Sequence, residues 1–455
     1  MFYPLAAGLA VFGTFAIVRD WARWRDVFHP TIFCVPQLLF LYVAYPIHGL
    51  AIDEYEFLSR AGYWDELTKF QLIANVMSTA VILGIWWGSR HTRVDSRPII
   101  EQNVAAIFAL ALLFGAAGLA AWLIGIANVG GFVAAYGRAY GGGWDDSGYV
   151  REASQFGFVA VPLLILSRRK TGMRWYHWLL ALAFLLPLLV QGFLGARRGP
   201  TFLAITCVAA SYILTFRPRI PFALVVSGGG AIGTLLLWLV ANRSAIYLGS
   251  QKELQGSVSR MLENWGGNEY LFSSAIVRYV TETGEPFYGL RILAHMLGRI
   301  VPLSIWPTKY ADVCAAFGLD IDLTQDAGIP IDRIDAVTGW QVAVGAAPGI
   351  VGDFWMEFGM FAPLVAFALG TFYGRFWRRS RSDPRIQPAY AMLAALSIYI
   401  FTQTIEAWLF RALLFGIPAL VFLTVVAIRR HPARSKAQLQ PWHLHSLSPA
   451  RAMRP

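Results

Sequence analysis

The chain has 455 residues, of which 56% are hydrophobic and only 14% charged, with a mean hydropathy of +0.51. Such a balance makes lipid the main solvent and excludes a water-soluble globular protein. A net charge of +11 would point to nucleic acid in a soluble chain, but here the surplus sits in short connections between apolar runs, where it orients the chain in a bilayer, and no nucleic-acid partner is expected.

Roughly 20 apolar residues are needed to cross about 30 Å of hydrocarbon. Runs of about that length lie near 1–18, 31–50, 71–88, 104–127, 153–167, 176–195, 201–216, 222–241, 350–374, 389–408 and 411–428. They predict an all-α polytopic membrane protein of about eleven transmembrane helices, the fifth and seventh being short. Helices 1–8 fill 1–241, a long external loop with amphipathic helices takes 242–349, helices 9–11 fill 350–428, and 429–455 forms a basic, disordered tail. The N-terminus lacks a basic leader and a small-residue cleavage site and reads as a retained first span.

Charge then sorts the connections. One alternate set carries Arg19, Arg23 and Arg25, then Arg90, Arg93 and Arg97, then Arg168, Arg169, Lys170 and Arg174, then Arg217 and Arg219, then Arg375 to Arg385. The positive-inside rule puts this set in the cytoplasm of a bacterial inner membrane, with the N-terminus outside and the C-terminus inside. Acids such as Asp53, Glu54, Glu56, Asp65 and Glu66 fall in the other set. Cys34, Cys207 and Cys314 form no disulfide framework or zinc spacing, and His443 and His445 stand alone in the tail. No internal repeat is visible.

Three stretches carry candidate chemistry, all on the expected outer side. In Gly195-Ala-Arg-Arg-Gly-Pro200, Arg197 and Arg198 oppose the orientation rule, and paired guanidinium groups suit phosphate because each donates two parallel charge-assisted hydrogen bonds. From Tyr288 to Val301, Arg291, His295 and Arg299 recur in helical phase opposite Leu293, Met296, Leu297 and Ile300, between Pro286 and Pro302. That pattern predicts a short surface helix with one cationic and one apolar face, followed by Lys309. In Ile350-Val-Gly-Asp-Phe-Trp-Met-Glu357, Asp353 and Glu357 stand one turn apart at the mouth of a span. They either take a proton from a sugar hydroxyl or form buried salt bridges with the loop arginines, and Glu406 and Arg411 fall near enough to join that network.

Acid pairs at Asp53 to Glu56, at Asp145 and Asp146, and at Asp320 and Asp322 have spacing compatible with a divalent ion, but such pairs are common by chance. No metal or other cofactor is expected. Trp265, Tyr270, Trp306 and Trp340 offer faces for sugar stacking or, more commonly, membrane-boundary anchoring.

Gly195-Ala-Arg-Arg-Gly199, Gly284-Glu-Pro-Phe-Tyr-Gly289, the run from Ile300 to Lys309, and Gly352-Asp-Phe-Trp-Met-Glu-Phe-Gly359 together resemble, in order and topology, the bacterial oligosaccharide repeat-unit polymerases of the O-antigen (Wzy) type. The resemblance runs from about Gly195 to Gly374. It implies an inner-membrane glycosyltransferase that joins repeat units carried on undecaprenyl diphosphate at the periplasmic face, with a chain-length regulator as a further expected partner. No short signature of that family transfers residue by residue. On physical grounds Arg197, Arg198, Arg291, Arg299, Lys309 and Arg411 are the candidate diphosphate ligands, and a neutral His295, Glu357 or Asp353 the candidate base. Like charge from the arginines is expected to lower the His295 pKa. Two other readings stand: a ligase that moves a finished glycan to a lipid or protein acceptor, and a flippase or exporter of polyprenyl-linked glycan.

Overall fold

The computed structural model describes residues 1–51, 63–90, 103–137, 149–195, 198–242, 245–248, 250–254, 269–303, 305–324, 333–334, 336 and 347–428. Regular structure among them is helical throughout. The candidate spans are α1 (Phe2–Trp24), α2 (Pro30–Ala51), α3 (Trp64–Ser89), α4 (Val104–Asn128), α5 (Tyr149–Ser167), α6 (Trp175–Phe193), α7 (Gly199–Phe216, its helix opening at Arg198) and α8 (Phe222–Leu239). After them come three helices outside the set of spans: α9 (Glu269–Thr283), α10 (Leu290–Ile300) and α11 (Lys309–Phe317). The chain closes with α12 (Gly349–Phe358), α13 (Ala362–Ser382), α14 (Gln387–Thr402) and α15 (Ile405–Val425). Counting α12 and α13 as one run, ten helices among the described residues are long and apolar enough to cross a membrane, and α14 is a shorter apolar helix. The chain is an all-α polytopic membrane protein. Of the expected boundaries, the tenth run ends early at Thr402 because Thr404 caps the next helix through the Ala407 N–H.

The run expected to be one span at 350–374 is broken. Gly359 has φ +51°, a left-handed conformation that glycine adopts without steric penalty, and one tight turn separates α12 from α13. Below the break, α13 runs parallel to α3 with backbones nearly touching. A β-carbon at Gly84 would lie 2.1 Å from the Phe367 carbonyl oxygen, and one at Gly374 would lie 2.5 Å from that of Ile85. Only glycine permits this approach, as small residues generally do between helices in lipid. At 1.5 Å per residue the break lies roughly 18 Å along the axis from Gly374. Met360, Phe361 and Leu364 are exposed there, as expected of side chains that face hydrocarbon.

Basic connections converge at one end of the bundle. Asp26 accepts from Arg381 and Trp377, Arg217 donates to the Arg381 carbonyl, and Arg378 donates to that of Arg90. The opposite end is closed by the segment after α8, which folds back onto the spans. Helix α9 packs against α12 and α3 with nine of its 15 residues buried, and its Arg278 pairs with Glu66 at 2.8 Å. Tyr270, on this helix, is fully buried and donates to Gln71 Oε1 at 2.9 Å, so it is a core residue and not a platform for a sugar. Trp265, Trp340 and the tail 429–455 lie outside the described residues.

Candidate functional site

Helix α10 has the expected phase, and the structure fixes which face points in. Tyr288 and Gly289 both have positive φ, 51° and 85°, which turns the chain sharply into the helix. Arg291 is thereby buried, whereas Leu290, Leu293, Leu297 and Ile300 are exposed. The cationic side faces protein and the apolar side faces outward, and Leu303 and Ile305 just beyond the helix are exposed as well. An amphipathic helix of this kind is suited to a membrane interface, where its apolar face can meet lipid.

Arg291 is 1% exposed and uses its fork on three acids. Its Nε donates to Glu357 Oε1 at 2.5 Å, its Nη1 to Glu406 Oε1 at 3.0 Å, and its Nη2 to Glu406 Oε2 at 3.2 Å and to Asp353. Burial alone would lower the guanidinium pKa, but Glu406, Asp353 and Glu357 more than offset this and hold it above its ordinary value. Two of these acids also close helix ends. Glu357 Oε2 accepts from the Gly289 N–H at 3.0 Å ahead of α10, and Asp353 Oδ2 accepts from the Ile405 N–H at 2.6 Å at the start of α15. Each meets otherwise unpaired amides at the positive end of a helix dipole. The expectation that Arg291 holds a diphosphate is therefore corrected: its charge is already met by three buried carboxylates. Asp353 and Glu357 are likewise 0% exposed, which leaves no approach for a hydroxyl and selects the salt-bridge alternative for them.

The rest of the cationic face is different. Arg299 donates from Nε to His295 Nε2 at 2.8 Å, and its guanidinium lies 5.0 Å from the centre of the Phe410 ring. Arg411 donates to its own-helix carbonyl at Ala407, lies 4.3 Å from the Tyr399 ring centre, and leaves its buried Nε without a hydrogen-bond partner. A π-helical turn at Ala412–Gly416 begins directly after it, a distortion that recurs at functional sites. Lys309 donates to the Val301 carbonyl. No carboxylate lies within 4.0 Å of Arg299, Arg411 or Lys309 among the described residues. The Arg299 pKa is lowered by burial and then by Arg411, and that of Lys309 by burial and then by Arg299. These three cations crowd one another with no carboxylate at salt-bridge distance among the described residues, Glu152 and Glu406 acting on Arg299 only from further away, and that surplus favours an incoming anion.

The first arginine element approaches the same place. Helix α7 opens at Arg198, and a β-carbon on the adjacent Gly199 would lie 3.1 Å from the Tyr399 hydroxyl, whose ring Arg411 covers. Arg197 lies outside the described residues, and of Arg198 only the backbone is described. Two residues that sequence reasoning missed border the cluster. Tyr149 donates to the Ile300 carbonyl, and Glu152 lies near enough to act on Arg299 while its Oε2 has no hydrogen-bond partner. An acid and a tyrosine at the head of an apolar run were the available signal.

His295 is lowered from its usual value to about 4, first by burial and then by Arg299, with Arg291 and Lys309 adding to this and Glu406 opposing it. It is neutral at physiological pH, with Nε2 accepting from Arg299 and the proton on Nδ1. Because the unfolded chain binds a proton near pH 6.5 and the folded chain only near 4, His295 withdraws stability as pH falls through that window, by up to about 1.4 kcal/mol per pH unit. His295→Gln should flatten this part of the stability profile, measured by melting in detergent between pH 7 and pH 4.

The acid pairs considered for a metal divide. Asp53, Glu54, Glu56, Asp145 and Asp146 lie outside the described residues, whereas Asp320 pairs with Arg333 at 2.9 Å and Asp322 accepts from Thr324. Trp306 donates to Asp312 Oδ2 at 2.6 Å. Fold and site define a multi-pass helical membrane protein with a cationic cluster that has no carboxylate at salt-bridge distance among the described residues, beside a helix whose apolar face is exposed. Compared with known proteins, the chain matches no family model, no curated protein and no solved structure.

Proposed function

We propose that the protein is a metal-independent membrane glycosyltransferase that polymerises oligosaccharide repeat units carried on undecaprenyl diphosphate at the periplasmic face of a bacterial inner membrane. One observation carries the reading: Arg299, Arg411 and Lys309 gather beside the exposed apolar face of α10 with no carboxylate within 4.0 Å among the described residues. A polyprenyl diphosphate combines the two properties such a place selects, a concentrated negative charge and an apolar tail. In the transfer, the acceptor hydroxyl oxygen bonds to the anomeric carbon as the bond from that carbon to the diphosphate oxygen breaks. The bonding electrons leave with the diphosphate, held by Arg299 and Arg411 together with the arginines of the α6–α7 connection. When Arg299 turns to the phosphate it releases His295 Nε2, which takes the hydroxyl proton. Diphosphate is a good leaving group once its charge is met, so the arginines supply the electrostatics.

The test is the purified protein with a synthetic lipid-diphosphate repeat unit in EDTA. A ladder of products is the expected result. Activity only after magnesium or calcium is restored would overturn the metal-free mechanism, and a single transfer to a lipid or protein acceptor would replace the polymerase with a ligase. Movement of the lipid across vesicles with no new glycosidic bond would make the protein an exporter.

A further inference from the structure

We propose that a second site, at the opposite end of the bundle, binds the phosphate of an anionic phospholipid. A cavity of about 350 Å³ lies between the α1–α2 connection, the α7–α8 connection and the end of α13, lined by Trp24, Arg25, Asp26, Arg217, Arg219 and Arg381 among others. That volume falls at the small end of ligand sites and suits a headgroup.

Its charge is unbalanced. Asp26 is buried and committed, accepting from the Phe28 N–H at 3.0 Å, from Trp377 Nε1 at 3.0 Å and from Arg381. Asp26 and Arg381 neutralise each other, whereas Arg25, Arg217 and Arg219 have no carboxylate within 4.0 Å among the described residues. Arg25 and Arg217 have φ of 48° and 50°, and among described non-glycine residues only Tyr288 shares a positive φ. Both close a helix, α1 and α7, in the left-handed conformation common at helix C-termini, each N–H bonding back to the carbonyl four residues earlier, and both line the cavity.

The apolar surroundings favour a lipid over a soluble anion. The lining ends at Ile220, two residues before α8, whose apolar stretch is 6% buried, less than any other candidate span. Phe222, which opens α8, lies 5.0 Å from the Trp21 ring centre. A headgroup in the cavity would leave its acyl chains along this open flank and pin α8 to the bundle. Arginine-lined pockets between transmembrane helices take anionic headgroups by this combination of charge and flank.

The experiment is melting of the purified full chain in detergent with phosphatidylglycerol, phosphatidylcholine or inorganic phosphate added. Phosphatidylglycerol is expected to raise the melting temperature and phosphatidylcholine to leave it unchanged. Arg217 and Arg219 are exposed, so Arg217→Gln and Arg219→Gln should fold, and each should weaken the phosphatidylglycerol titration about fivefold. Equal shifts with both lipids, or a titration unchanged in the double variant, would overturn the site. The same shift from inorganic phosphate alone would overturn the lipid assignment in favour of soluble phosphate.

Discussion

Arg291→Ala is expected to cost the fold about 3–5 kcal/mol, because it leaves Asp353, Glu357 and Glu406 buried around an empty place without a counter-ion. The loss would be concentrated in the joint between α10, α12 and α15, since the same three acids meet the Arg291 fork and two of them cap helix starts. Arg291→Lys should recover little, as a single ammonium cannot reproduce a planar fork that meets three acids at once. A combined variant, Arg291→Met with Asp353→Asn, Glu357→Gln and Glu406→Gln, should regain most of the stability, since replacing a whole buried ionic cluster costs far less than breaking it. Melting in detergent reads all three. If Arg291→Ala melts like the parent chain, the cluster does not hold α10 in place.

That expectation also shows where sequence reasoning reaches its limit. The phase of Arg291, His295 and Arg299 on α10 was legible because a helix repeats every 3.6 residues, and the one-turn spacing of Asp353 and Glu357 was legible for the same reason. Which way the cationic face turns was not. Its direction depends on Tyr288 and Gly289 adopting positive φ and on acids 62, 66 and 115 residues further along the chain, none of which leaves a local mark. The spans were legible from hydropathy, and the set of basic connections that share one end was legible from charge, as the meeting of Arg25, Arg217, Arg219 and Arg381 around one cavity illustrates. The break after Phe358 was hidden because an apolar run continues across it, and only Gly359 and Pro363 hint at the turn. Sequence also gave no means to separate Arg291 from Arg299. Both lie on one helical face, but only the first finds acids from other helices.

Arg299→Gln and Arg411→Gln should each lower the rate of the proposed glycosyl transfer by about 10²–10³-fold, the usual effect of removing one preorganised donor to a developing negative charge, while the chain melts close to its parent. The contrast with Arg291 follows from what each side chain already satisfies. Removing Arg299 or Arg411 strands no carboxylate within salt-bridge distance among the described residues and relieves the repulsion between them, which after burial is what lowers the Arg299 pKa. Stability should therefore hold or rise as activity falls, a pairing expected where like charges are kept together for a ligand. Arg299→Gln has a second consequence, because Arg299 is the strongest charge acting to lower His295. Its loss should move His295 upward from about 4, and the acid limb of residual activity should move to higher pH with it. A purely structural Arg299 would lower activity and melting temperature together and leave the pH profile in place. Full activity in both variants would remove these two arginines from the diphosphate site and, with them, the main support for a lipid-diphosphate substrate.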